Sequence, residues 1–175
     1  GMNLKAKKIL SLLASAVLMV PAYILLHVGG HALVAVLCGA RITEFSVLGA
    51  YMGYEGGVFT PAALSLFHIA GMLLPVLAAV IYMLAYGSKA EGVFYRIFSF
   101  VSLLMPLGSL LAWVVMPVFS LAGQAPQDDD AVKFLASSGL SPWAVSLGAA
   151  ALFAFCLFLA WKKKIIQNYW AAVKE

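Results

Sequence analysis

The chain alternates between four long apolar stretches and short polar ones. The apolar stretches cover about residues 9–39, 61–86, 93–121 and 142–161. Crossing about 30 Å of hydrocarbon takes roughly 20 apolar residues in a helix. Each stretch is therefore predicted to be a transmembrane helix, and the first is long enough to tilt or protrude. Residues 41–60, "RITEFSVLGAYMGYEGGVFT", are rich in β-branched and aromatic residues and interrupted by glycine. That pattern predicts one or two short strands, or a re-entrant hairpin, between the first two spans. The stretch "GQAPQDDD" reads as a polar turn, with Asp128 to Asp130 as the cap and first turn of a helix running into "AVKFLASSG". The tail "WKKKIIQNYWAAVKE" is basic and aromatic, as in segments that lie on the inner membrane surface. The expected fold is an all-α polytopic membrane protein of about four transmembrane helices, in a single membrane-embedded domain over residues 1–175 with a basic tail at 162–175.

Composition supports this pattern. Of 175 residues 64% are hydrophobic and 10% charged, more apolar surface than a soluble domain of this size can bury. Gly1-Met2 reads as the scar of a cleaved tag. The following "NLKAKK" and apolar run resemble a signal sequence, but the run is too long and no small-residue cleavage site follows. Cys38 and Cys156 are isolated, which suggests neither a disulfide framework nor a cysteine metal site.

Charge then orients the spans. Lys5, Lys7, Lys8, Lys89, Arg96, Lys162, Lys163, Lys164 and Lys174 fall on one side, and only Arg41 and Lys133 on the other. The positive-inside rule places both termini in the cytoplasm. Glu44, Glu55 and Asp128 to Asp130 lie on the outer side. The net charge of +4 thus belongs to membrane-flanking loops and gives no sign of a nucleic-acid partner.

The candidate chemistry lies in the few polar residues near the outer face. His27 and His31 are four apart, so they share one helix face and can hold one metal ion through two imidazoles. Counting about 1.5 Å per residue puts His31 roughly 12 Å deep and His68, in the second span, roughly 10 Å deep. Asp128, Asp129 and Asp130 cap the same side, so three imidazoles and three carboxylates come within reach of each other. Ionisable residues inside a membrane are costly and usually functional. The plainer alternatives are histidines that hydrogen-bond a neighbouring helix's carbonyl and aspartates that form a solvated cap. Gly29 and Gly30 leave a bare face between the histidines for close helix approach, a substrate or a water. Pro21, Pro75, Pro106 and Pro117 lie inside the spans and are expected to kink them.

The order of "HVGGHALVAVLCGARITEFSV", a glycine-rich hairpin, "HIAGMLLPVLAAV" and a late "DDDAVKFLASSGLSPWAV" resembles the site-2 protease family of intramembrane zinc metalloproteases, in particular its short bacterial members. The resemblance covers about residues 27–145. In that family the first motif reads HExxH; its histidines bind zinc, its glutamate polarises the attacking water, and a distant acidic residue is the third ligand. The resemblance implies that His27 and His31 bind zinc, and that Gly30, His31, Ala32 and Leu33 match the family's "GHAL". Ala70, Gly71 and Pro75 loosely match a later packing motif, and Asp129 or Asp130 matches the acidic ligand. His68 and Asp128 are possible additional ligands. The family's asparagine–proline and "LDG" motif is absent.

The departure is Val28, which stands where the family has glutamate and can neither accept a proton nor orient a water. Glu55, in "GYEGG", is the candidate substitute. The resemblance implies an integral protein of the bacterial cytoplasmic membrane, surrounded by lipid, with a transmembrane peptide or protein as substrate. The leading expectation is a degenerate or weakly active zinc peptidase. The alternative is a non-catalytic pseudoprotease that binds a transmembrane partner. A metal or proton pathway ranks last, because the inner halves of the spans carry no ionisable residues.

Overall fold

A computed structural model describes residues 1–175 as seven helices and one two-stranded sheet. Helix α1 spans Leu4–Leu37, and the hairpin of β1 (Ala40–Ser46) and β2 (Tyr51–Gly56) follows. Next come α2 (Pro61–Ala85), α3 (Val93–Val101), α4 (Leu104–Leu121), α5 (Asp130–Ser138), α6 (Pro142–Lys162) and α7 (Ile165–Lys174). Four helical segments are long and apolar enough to cross a membrane: Leu4–Leu37, Pro61–Ala85, Val93–Leu121 and Pro142–Lys162. The first has a mean hydropathy of 2.4 over its most apolar window, yet only 11% of that window is buried inside the protein. Such a surface is compatible with lipid as the solvent.

Local sequence sets the helix boundaries. The Asn3 side chain accepts from the Ala6 N–H at 2.8 Å, and that of Thr60 from the Ala63 N–H at 3.1 Å, so α1 and α2 both start on polar caps. Pro61 and Pro142 open α2 and α6, where a missing N–H costs nothing. Helices α1, α2 and α4 continue through Pro21, Pro75 and Pro117. The third predicted span, 93–121, is not one helix: it is interrupted at Ser102 and Leu103. Pro106 has no N–H to offer the Ser102 carbonyl four residues earlier, and its ring crowds that carbonyl. The break into α3 and α4 follows from that.

The close pair is α1 with α2. A Cβ on Gly30 would lie 2.2 Å from the Ala70 carbonyl oxygen, so the two backbones touch where Gly30 has no side chain. The main core joins Met72, Val76 and Met83 of α2 to Leu110 and Trp113 of α4, Phe134 of α5 and Cys156 of α6. Phe134 packs edge-on against Trp113 at 5.5 Å, which anchors the short α5 over α2 and α4. No buried side-chain polar atom lacks a partner. Ser15, Ser65 and Ser99 bond back to carbonyls of their own helices, Ser15 to Ser11 at 2.6 Å, whereas Ser146 of α6 donates across to the Val114 carbonyl of α4 at 2.6 Å.

The predicted hairpin is antiparallel, with Arg41 opposite Glu55 and Ser46 opposite Tyr51, and a bulge between Ile42 and Glu44. The Val58 N–H donates to the Cys38 carbonyl at 2.9 Å and closes its base against the end of α1. The basic tail is helical. It folds back on α3, where Tyr169 stacks on Phe100 at 4.1 Å and Ala172 is buried with Ile97 and Val101. There Arg96, itself buried, holds the Glu175 carboxylate through two hydrogen bonds of 3.1 and 3.2 Å.

Candidate metal centre

The i, i+4 spacing puts His27 and His31 one above the other on the α1 face that meets α2. Their ring centroids lie 5.0 Å apart, nearly perpendicular. Each ring is tied to the α2 backbone. Nδ1 of His27 donates to the Gly71 carbonyl at 2.9 Å, and Nδ1 of His31 to the Phe67 carbonyl at 2.6 Å. These carbonyls are also four residues apart, so two helical repeats run in register. The Gly71 carbonyl is free for this role because its ordinary helical partner would be the N–H of residue 75, which is proline. Gly71 itself has no alternative: a Cβ there would lie 2.3 Å from His31 Nε2 and 2.9 Å from His27 Cε1.

The third group comes from α5. Asp129 is the N-cap of that helix, and its Oδ1 accepts from the Ala131 N–H at 2.9 Å. The next residue, Asp130, faces the histidines. Its Oδ2 lies 3.1 Å from His31 Nε2 and 3.9 Å from His27 Nε2. The three ligand atoms all fall within 4.8 Å of one another. Burial would push the Asp130 carboxyl up, but a His31 imidazole that carries a proton on Nε2 and donates it to Asp130 outweighs this and holds the carboxyl below the usual carboxylate range.

The tethers decide what this cluster can do. A carbonyl only accepts, so each Nδ1 carries a proton, and a neutral imidazole then presents a bare lone pair at Nε2. Two imidazole nitrogens and a carboxylate oxygen point at one place, a set that could hold a metal ion, and a proton between His31 Nε2 and Asp130 Oδ2, 3.1 Å apart, would tie only two of the three. Tetrahedral zinc with ligands at about 2.0–2.2 Å sets its ligand atoms about 3.4 Å apart, and the two distances to Asp130 bracket that value. Backbone carbonyls that fix the outer nitrogen of a ligating histidine are a regular part of metal sites.

A pocket of about 300 Å³ opens on the cluster, with Val28 and Phe67 in its wall and Tyr51 and Met52 of the hairpin at its edge. Val28 is 2% exposed and supplies only methyl groups there. Asp130 is the only acid that lines the pocket. Glu55 does not line it; its carboxylate pairs with Arg41 Nη2 at 2.6 Å on the exposed hairpin. His68 lines the pocket but is not one of the three converging ligands, and Asp128 is exposed. Of the sequence candidates, the structure therefore brings together His27, His31 and Asp130. Sequence reasoning did not find the carbonyls of Phe67 and Gly71, although a proline four residues after a glycine in a span is the signal that one carbonyl is free. It put Lys133 on the outer side but not at this site, where Lys133 lines the same pocket one turn beyond Asp130.

Comparison of the chain with protein-family models, curated proteins and solved structures finds no match.

Proposed function

We propose that this chain is a membrane-embedded zinc protein of the site-2 protease type, with His27, His31 and Asp130 as ligands and a degenerate or weakly active peptidase site. The observation that carries the reading is the convergence of two tethered imidazoles and one carboxylate. A proton between Asp130 and His31 would satisfy one pair; a metal ion satisfies all three groups at once. Zinc held by three protein ligands polarises a carbonyl and brings a bound water to a pKa of about 7. Around it, Gly71 leaves room for the rings, the α2 carbonyls hold their tautomers, and Val28 offers no group to take a proton from the water. The missing base is worth about 10²–10⁴ in rate. Loop charge orients both termini toward the cytoplasm, with the metal centre toward the outer face of a bacterial cytoplasmic membrane.

Two measurements test this. Purified protein should carry about one zinc per chain, lost in a His27→Ala/His31→Ala double variant; a folded protein that takes up no supplied zinc refutes the metal reading. Val28→Glu should then produce cleavage of a co-expressed membrane substrate. Metal binding without any gain of cleavage favours the second reading, a non-catalytic protein that binds a transmembrane partner. That reading has its own support in the buried Val28 and in an apolar groove of about 560 Å³ between α1, α2 and α6 with Gly30 in its wall.

A further inference from the structure

His27 and His31 have their Nδ1 atoms committed to carbonyls and their Nε2 atoms to the cluster. His68, in the wall of the same pocket, has no such tether. Lys133 lines the pocket as well, and it takes part in none of the protein's ion pairs. Two unengaged donors thus face the space over the cluster. The only acid there is Asp130, which the histidines already engage. With a divalent ion in place, the charges around the pocket sum to about +2, counting Asp130, Lys133 and neutral imidazoles. A neutral peptide group meets this excess of donors poorly; an anion with two oxygens meets it well. Half of the ten lining residues are apolar, Phe67 and Met52 among them, so the anion should carry a small apolar body.

We propose that this pocket binds a carboxylate on a small apolar body, with Lys133 and His68 as its recognition groups beside the His27, His31 and Asp130 cluster. The inference rests on the metal reading above and extends it to a ligand class. It also gives Val28 a consequence. With no base to activate a water, the pocket would hold an acid more readily than it would cut a bond. The carboxylate has two possible sources, a free organic acid or the carboxyl end of a peptide.

The test uses the full chain in detergent, loaded with cobalt(II), whose visible spectrum reports its coordination. Benzoate should change the spectrum saturably, and benzamide, its neutral analogue, should not. Hydrogen bonds to charged groups are worth about a tenfold or larger change in affinity each. Lys133→Gln and His68→Gln should therefore each weaken benzoate binding by about that factor while cobalt per chain stays unchanged. If N-acetyl-Ala-Phe with a free carboxyl binds more tightly than benzoate, and its amide does not bind, the source is a peptide end; the reverse order assigns a small acid. Equal binding of benzamide, equal binding of inorganic phosphate, or benzoate affinity unchanged within about twofold in both variants overturns the proposal. Wild-type protein that takes up no cobalt removes the metal reading and this inference together. Cobalt uptake without benzoate selectivity removes the inference alone.

Discussion

Gly71→Ala isolates the geometry of the proposed metal centre in one methyl group. The new Cβ would lie 2.3 Å from His31 Nε2, 2.8 Å from His31 Cε1 and 2.9 Å from His27 Cε1. Carbon contacts are comfortable at about 3.5–4.0 Å, so at least one ring must move by about 1 Å. Parting the helices to make room would open the backbone contact that Gly30 makes with the Ala70 carbonyl one residue away. Overpacking of this kind costs about 1–3 kcal/mol in stability, which leaves most of the fold in place. The metal tolerates far less, since ligand distances must hold within about 0.2 Å. Displaced ligands should cost more than the 10–100-fold typical of lost outer-shell support. The assay is zinc per chain by elemental analysis, followed by competition with a chelator, with circular dichroism and monodispersity as checks on folding. Gly29→Ala is the control: a Cβ there meets nothing within 4 Å, and alanine is the better helix former by about 1 kcal/mol. Gly29→Ala should keep its zinc. A Gly71→Ala protein that binds zinc as tightly as the wild type would refute the reasoning.

Other expectations follow from the same geometry. Asp130→Asn should lose metal, whereas Asp129→Ala should keep it and lose about 1 kcal/mol of stability with the α5 cap; thermal melts with and without zinc separate the two. Pro75→Ala restores an N–H that competes for the Gly71 carbonyl, so zinc affinity should fall several-fold in a chelator titration while α2 itself gains. Arg96 holds the Glu175 carboxyl below its usual value. A depressed carboxylate contributes stability that is complete above its unfolded pKa and lost as pH falls through the folded one. Arg96→Ala should therefore flatten the acid side of the stability profile, and an unchanged profile would deny that the pair matters. The Arg41–Glu55 pair is 73% and 67% exposed, so a double-mutant cycle should find a coupling below about 1 kcal/mol.

Much of the fold was legible because the lipid bilayer imposes a simple rule on sequence. A run of about 20 apolar residues has few fates besides a helix, and the starts of α2 and α6 fall on their prolines at 61 and 142. The hairpin was legible from its β-branched and aromatic residues and its glycines, and the start of α5 from the Asp128–Asp130 run, of which Asp129 is the cap. The His27–His31 pair was legible because helical spacing is local. The break at Ser102 was less so: Pro106 stands inside the run, and hydrophobicity does not reveal the carbonyl it strands.

The tertiary structure decided what depends on two segments meeting. Asp129 and Asp130 are neighbours of identical chemistry, and only the seating of α5 through Phe134 turns one to the cap and the other to the imidazoles. Glu55 and His68 were both candidates by topology; the hairpin register sets Glu55 against Arg41, and the α2 face places His68 beside the cluster but outside it. The carbonyls that fix the rings belong to a helix some forty residues away along the chain. Sequence by itself determined the helices and which of their faces carry histidine and glycine, because those follow from periodicity and solvent. Which acid, which carbonyls and which empty space complete the site was decided only by helix packing, because a metal centre is specified by distances of a few tenths of an ångström between groups that the chain holds far apart.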